Sequence, residues 1–314
     1  MQEKVFSVTT STELTLTPGT VIKGRWKQGT YVIRRLLGQG ANGVVYLVQK
    51  QPGGGQYALK LGFDTIDLQS EINVLRTLQQ HASSKDAKFP YLIEVDDAQL
   101  PKLTVPFYVM RYVKGEPLSL FISKKGAEWI DLVGLHVLKQ LRHLHVSGFV
   151  FGDLKPDNIM VASYGEAELI DYGGVSQIGR SVKQFTEWYD RGYWNAGSRI
   201  ADEAYDWFAF SVVCIHLLAG EELKKAAKVL PQTRSVEDLF AIMKNHSLLR
   251  PYASWLRRGL TGRFENSLEA LQYWDTHISR RKVTRRHFRA SRWLTRAFIL
   301  SLAMLSCALY LRFR

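Results

Sequence analysis

The rhythm of apolar and polar positions changes once along this chain. Before about residue 112 the apolar runs are short and cut by glycine. Tyr31-Val-Ile-Arg-Arg-Leu-Leu37 leads into Gly38-Gln-Gly-Ala-Asn-Gly43, and Val44–Val48 follows, which predicts strand, glycine turn and strand. Pro52-Gly-Gly-Gly55 predicts a turn, and Tyr57-Ala-Leu-Lys-Leu61 a third strand. Leu68, Ile72, Leu75 and Leu78 recur at helical spacing, so a helix is expected over 68–78, with further strands at Tyr91–Val95 and Phe107–Tyr112. After Gly115 helical spacing dominates: Leu132–Val146, Trp207–Leu218 capped by Gly220, Val236–Lys244, Tyr252–Arg258 and Ser267–His277. A loop, Phe151–Asn158, and a short strand pair, Ile159–Val161 with Glu168–Ile170, separate the first two helices. A β-rich part followed by a helical part is an α+β arrangement. The expected division is an extension over 1–28 and a globular unit over 29–278, with lobes 29–112 and 113–278. A basic segment over 279–296 and an apolar helix over 293–311 follow.

Composition adds two constraints. A hydrophobic fraction of 46% with 12% aromatic residues suits a chain with a real core and excludes a disordered one. The only cysteines, Cys214 and Cys307, both sit in apolar runs, so no disulfide framework is expected and a reducing cytosol fits. Residues 1–20 are polar and rich in Thr and Ser, with no apolar core of a secretory signal.

Candidate chemistry begins at Gly38-x-Gly40-x-x-Gly43. Alone it is a weak signal, since dinucleotide sites open the same way and an ordinary hairpin would also use glycine. A strand follows here instead of a helix, which disfavours the dinucleotide reading and suits a loop lying over phosphates. Lys60 on the third strand and Glu71 on the following helix are spaced so that the glutamate can hold the ammonium toward phosphates. A surface lysine and a solvated glutamate are the plain alternative.

Asp153-Leu-Lys155-Pro-Asp157-Asn158 is the most specific segment. Phosphoryl transfer needs an aspartate to take the proton of the attacking hydroxyl and an oxygen ligand for magnesium displaced on the same loop, which Asp153 and Asn158 supply. Lys155 can offset charge on the transferred group. Asp171, in Asp171-Tyr172-Gly173 at a strand end, offers a second oxygen to a hard cation. A capping or turn role would have to be invoked separately for Asp153, Asn158 and Asp171.

In this order these residues resemble the eukaryotic-type serine/threonine protein kinases of bacteria, over roughly residues 30–278. The resemblance implies a bilobal kinase fold, with a β-rich N-lobe carrying one helix and a helical C-lobe. It implies ATP with Mg2+ or Mn2+ as cofactors and protein Ser/Thr hydroxyls as substrates. Gly38, Gly40, Gly43 and Val45 would then cover the nucleotide, and Lys60 with Glu71 would form the phosphate-orienting pair. Met110 would be the gatekeeper, and Arg111 to Val113 the hinge beside adenine. Asp153 and Lys155 would be catalytic, Asn158 and Asp171 metal ligands, and Asp206 the brace below the catalytic loop. A homodimer that autophosphorylates is a further expected partner.

Three positions depart from the family pattern. Phe151-Gly152 replaces His-Arg, so the arginine that pairs with an activation-loop phosphate is missing, and activity is expected not to need phosphates at Ser176, Ser181 or Thr186. Asn195-Ala196-Gly197 stands where Ala-Pro-Glu should end the activation segment, so its pair with Arg263 is absent and the substrate groove is in doubt. Tyr172 replaces phenylalanine. These departures motivate a pseudokinase scaffold as the alternative, which the intact Lys60, Asp153, Asn158 and Asp171 weigh against. A small-molecule or lipid kinase is disfavoured by Lys155.

Charge changes the picture at the C-terminus. The net charge is +13, and residues 280–314 carry ten basic and no acidic residues, so subtracting ten leaves +3 on the rest. Trp293–Leu311 is apolar apart from Arg296, and 19 residues are just enough to predict a membrane-spanning helix with interfacial Trp293 and Tyr310. Eight basic residues precede or enter it and two follow, which places the kinase in the cytoplasm at the cell membrane. With only residues 312–314 beyond, no outside sensor is expected. Arg280, Arg281, Lys282, Arg285, Arg286, Arg289 and Arg292 suit anionic lipid or DNA, and the residues alone favour lipid. The layout resembles the membrane-anchored sporulation kinases of bacteria. That likeness implies DNA as an activating partner and DNA-maintenance proteins as targets.

Overall fold

The computed structural model describes residues 16–40, 43–81, 91–100, 103–183, 186–280 and 292–312. In the N-terminal half, alternate positions of successive strands point to one face. Val44, Tyr46 and Val48, Leu59 and Leu61, and Phe107 and Val109 form one core with Tyr31 and Ile33, because side chains of a strand alternate between faces. The strands are β1 (Val21–Lys23), β2 (Thr30–Gly40), β3 (Gly43–Gln51), β4 (Gln56–Gly62), β5 (Leu92–Leu100) and β6 (Leu103–Arg111). They form one antiparallel sheet in the order β1-β2-β3-β4-β6-β5. Helix α1 (Thr65–His81) buries Leu68, Ile72, Leu75 and Leu78 with Tyr108 of the sheet. The stretch 16–28, read from sequence as an extension without pattern, contributes β1 and a loop whose amides at Trp26 and Lys27 donate to Asp96.

The second lobe is helical. It comprises β7 (Glu116–Pro117), α2 (Leu118–Lys125), α3 (Ile130–Val146), β8 (Phe149–Val150), β9 (Ile159–Val161), β10 (Ala167–Leu169) and β11 (Ser176–Gln177), then α4 (Glu203–Ala226), α5 (Val236–Asn245), α6 (Ala253–Leu260) and α7 (Ser267–Trp274). Helix α4 is apolar all round from Trp207 to Ile215 and runs through the middle of the core, as such a helix must. As expected, its regular course ends beside Gly220: the backbone leaves helical values at Ala219 (φ −142°, ψ 45°), and a second helical stretch follows to Ala226. Trp194, Trp255 and Trp274 are fully buried beside it, each worth about 2–3 kcal/mol of apolar burial. The β-rich lobe with one helix and the helical lobe are those expected.

The tail differs from expectation. Helix α8 (Arg292–Arg312) forms, and Phe298, Ile299, Leu300, Met304 and Leu311 on it are exposed. Among the described residues no helix is long and apolar enough to cross a membrane, so the membrane-spanning helix is not supported. The polar Arg292, Thr295 and Arg296 in its first turns dilute the apolar stretch. Arg281, Lys282, Arg285, Arg286 and Arg289 lie outside the described residues. Arg280 is described and pairs with Asp275 at 2.7 Å.

Candidate functional site

The two lobes bring their charged groups together where β4, α1 and the loops after β8 and β10 meet. On β4, Lys60 lies in register with Val45 of β3 and Tyr108 of β6. Its Nζ is 2.7 Å from Oε2 of Glu71 on α1 and 3.4 Å from Oδ1 of Asp171. Lys60 and Glu71 are both buried. Burial alone would push the lysine toward its neutral form. Glu71 and then Asp171 outweigh that and hold its pKa above the ordinary value, so it stays charged. Burial, and then the neighbouring Glu71, push the Tyr108 phenol well above its ordinary value.

Asp171 adopts a left-handed backbone (φ 60°, ψ 81°), unusual outside glycine, and that turn aims its half-exposed carboxylate at Lys60. The turn Tyr172–Gly174 follows, with the Tyr172 ring held between Tyr91 at 5.5 Å and Phe151 at 5.9 Å between centroids. Burial pushes the Tyr172 phenol up to about 12.

The loop before β9 carries the second cluster. Lys155 Nζ is 2.6 Å from Asp153 Oδ2. Asn158 donates from Nδ2 to the Asp153 carbonyl at 2.9 Å and to its Oδ2 at 3.3 Å, so the amide oxygen is the atom left for a cation. Below the loop, Asp206 is fully buried and accepts from the amides of Phe151 (2.8 Å) and Gly152 (3.0 Å). His145 shares Asp206 at 2.9 Å and Ser267 at 2.6 Å. The structure thus brings together Lys60, Glu71, Asp153, Lys155, Asn158, Asp171 and Asp206. Met110 and Val113 lie along the edge where β6 ends.

The arrangement fits a nucleoside triphosphate with a hard divalent ion. A Cβ added at Gly38 or Gly40 would meet nothing within 4 Å, so both positions lie open. At Gly43 a Cβ would stand 2.2 Å from the Leu61 carbonyl, so that glycine is required by strand packing instead. Among the described residues no group of three or more His, Cys, Asp or Glu could hold a metal alone. Two oxygen donors, with phosphates and water completing the shell, is how magnesium is commonly held.

Gly152 has φ +81°, and a Cβ there would sit 2.7 Å from the Gly174 carbonyl. No side chain fits at the place of the family's arginine while the 172–174 turn keeps this position. The activation segment carries its own ties. Arg191 is buried and donates to both oxygens of Asp202 at 2.8 and 2.7 Å and to the carbonyls of Ser198 and Ile200. Asp190, also buried, accepts from Arg199 at 2.7 Å, from Tyr205 Oη at 3.0 Å and from the Gly192 amide. Asn195 donates to the carbonyls of Pro231 and Arg234. These bonds tie the segment without a glutamate–Arg263 pair, so the doubt over the groove is met by a different brace.

Two of the three segment hydroxyls are not free in this conformation. Ser176 is buried and bonds Gly174 and the Lys183 amide. Thr186 donates to Asp153 Oδ1 at 2.8 Å and accepts from Lys155 at 3.2 Å. Thr186 therefore belongs to the site, which nothing in the sequence around it signalled. Asp190, Arg191, Arg199 and Asp202 were also missed. Alternating opposite charges over 190–202 were the available hint, but their pairing depends on the turn.

Residues 31–270 match the protein kinase domain family. The chain is 39% identical over 263 residues to serine/threonine-protein kinase YabT of Bacillus subtilis (strain 168), covering 83% of this chain and 75% of that protein. It is 31% identical over 222 residues to serine/threonine-protein kinase F of Synechocystis, covering 62% of this chain and 44% of that protein. Serine/threonine-protein kinase SMU1 of Mycosarcoma maydis is 26% identical over 193 residues, 59% of this chain and 25% of its own.

Proposed function

This chain belongs to the protein kinase domain family and is an ATP-dependent serine/threonine protein kinase similar to YabT, and on that premise we propose how its residues divide the work. Asp153 accepts the proton of the substrate hydroxyl as that oxygen bonds to the γ-phosphorus and the bond to the leaving diphosphate breaks. Lys155 neutralises charge on the transferred group, and Thr186 holds Lys155 and Asp153 in register. Lys60, held by Glu71, binds the α- and β-phosphates under the loop of Gly38, Gly40 and Gly43. Val45, Met110 and Val113 enclose the adenine. Asn158 and Asp171 hold Mg2+, or Mn2+ in its place, which when bound offsets phosphate charge. Asp206 fixes the loop from below. The observation that carries this reading is the convergence of two clusters, Lys60–Glu71–Asp171 and Asp153–Lys155–Asn158. It also weighs against a pseudokinase. Transfer of labelled phosphate from ATP to a protein substrate tests it: Asp153→Asn should abolish transfer while the protein still folds and binds nucleotide.

Activity in this reading needs no phosphate in the activation segment. Gly152 leaves no arginine to read one, and Arg191 and Asp190 already tie the segment.

We further propose that the kinase sits on the cytoplasmic face of the cell membrane, attached through α8. Its exposed apolar side chains support this, as does the basic run before it, at about 1 kcal/mol per basic residue near an anionic surface. Flotation with anionic but not neutral vesicles is expected for the full chain, and loss of flotation on truncation at residue 291. The same basic run, from Arg280 to Arg292, is proposed to bind DNA as an activating input, with DNA-maintenance proteins as substrates and autophosphorylation in a homodimer. Counterion release then predicts a steep salt dependence. Equal DNA affinity after alanine replacement of Arg280, Arg281, Arg285 and Arg286 would refute it.

A further inference from the structure

Beside the catalytic loop the helical lobe carries an open groove for which the transfer step has no use. It has a volume of about 290 Å³ and lies between α2, the first stretch of α4 and the turn Ser247–Tyr252. Ile122 of α2, Ala127 just after it, Leu217 and Leu218 of α4 and Leu248 of the turn give it apolar walls, and His216 lines it as well. That volume is at the lower end for a small-molecule site and suits one or two side chains. Both walls continue into the site. Helix α2 packs against the turn Pro156–Asn158 of the catalytic loop. On the α4 wall, His216 Nδ1 lies 2.6 Å from the Tyr189 hydroxyl, and the His216 ring meets Trp188 at 5.5 Å between centroids. Burial holds His216 below its ordinary pKa, so this wall favours a neutral ring. The Tyr189 amide donates to the Thr186 carbonyl at 2.9 Å, and the Thr186 hydroxyl donates to Asp153 at 2.8 Å. The run of contacts from Asp153 to His216 covers roughly 15 Å, which an extended peptide spans in about four or five residues.

We propose that this groove receives an apolar side chain of the protein substrate, about four or five positions from the serine or threonine that takes the phosphate. It rests on the reading of Asp153 as the base, because that places the substrate hydroxyl and so the chain on either side of it. A protein substrate must lie along the surface next to Asp153, and the groove opens there through both of its walls. Exposed apolar surface at such a place marks a contact made with a partner. A charged side chain would lose its water against Ile122, Leu217, Leu218 and Leu248 with no opposite charge to meet it, so the groove rejects lysine and aspartate. Leu248 is 51% exposed, so it contributes to the groove from outside the core and its replacement leaves the core packing in place.

The test uses full-length protein and a peptide library with a central serine, mixed residues elsewhere and one fixed residue at each flanking position in turn. The rate with leucine, methionine or phenylalanine fixed is divided by the rate with aspartate or lysine fixed at the same position. Wild type should favour the apolar residue by roughly five- to tenfold at one position about four or five residues from the serine, as expected for partly burying one side chain. Leu248→Asp should bring that ratio to within about twofold of one and make lysine the better residue there. A general loss of folding or turnover lowers every rate alike and leaves the ratio unchanged, so the ratio reads the groove alone. Transfer to peptides with no apolar preference in that region, or with a preference that Leu248→Asp leaves intact, would overturn the groove and leave the reading of Asp153 standing. Absence of transfer to every peptide would sink the reading of Asp153, and the groove with it. Loss of self-association in Leu248→Asp by sedimentation, without any apolar preference in wild type, would give the groove to a second copy of this chain and overturn the substrate assignment.

Discussion

The catalytic loop, Phe151–Asn158, and the activation segment, Asp171–Asp202, pack against each other and secure their charges in the same way, each pairing carboxylates with basic side chains. They differ in how far they keep the family pattern. In the loop, Asp153, Lys155 and Asn158 stand at the family's positions. In the segment, the closing brace is Arg191 with Asp202 and Asp190 with Arg199. The difference separates two kinds of demand. Proton acceptance and metal ligation at a phosphoryl group admit few side chains. Holding a segment in place needs only satisfied hydrogen bonds and compensated charge, and several arrangements provide them.

The comparison can be broken at its strongest point first. Asp153→Asn should lower turnover by about 10²–10⁴-fold, the usual contribution of a positioned base, with little change in melting temperature. Arg191→Ala should act the opposite way, on stability first. Removing a buried cation with four hydrogen bonds should cost about 2–4 kcal/mol in chemical denaturation, with turnover falling only as the segment loosens. An Arg191→Ala protein as stable as wild type would show that the segment is braced elsewhere.

Gly152→Ala sharpens the contrast by testing a place where the loop itself departs from the family. At φ +81° with the Gly174 carbonyl 2.7 Å from the added Cβ, it should cost roughly 1–3 kcal/mol and raise KM for ATP by displacing the 172–174 turn.

The smallest effect concerns pH. Burial holds His216, which bonds Tyr189 at 2.6 Å, below its ordinary pKa, with Asp157 opposing. The folded state therefore favours neutral imidazole. That contribution is complete above the unfolded pKa and is lost as pH falls through the folded one. Denaturation midpoints should drop as pH falls below the ordinary histidine range, and His216→Gln should flatten that part of the curve.

The alternation of Val44, Tyr46 and Val48, and the helical spacing of Leu68 to Leu78, made the N-lobe legible, because each element has one buried face. The catalytic and phosphate-binding residues were legible for a different reason: their chemistry fixes both type and order. What escaped was set by tertiary contact. Strand β1 is three residues long and earns its place only by pairing with β2. Gly220 marked the end of the first helical stretch correctly, but the second stretch to Ala226 beyond the kink at Ala219 was not foreseen. Thr186 reaches Asp153 across 33 positions, and Tyr91 reaches Tyr172 across a turn that no local pattern predicts. The apolar run at the C-terminus was read as crossing a membrane, and among the described residues no helix meets that requirement.

Whether the segment brace replaces the phosphate switch is decided by one measurement: the initial rate of substrate phosphorylation by full-length protein freed of phosphate, as verified by intact mass. The account predicts full rate from the first turnover, within about twofold of autophosphorylated enzyme. A lag, followed by a rise of tenfold or more that tracks phosphate incorporation within residues 171–202, would contradict it.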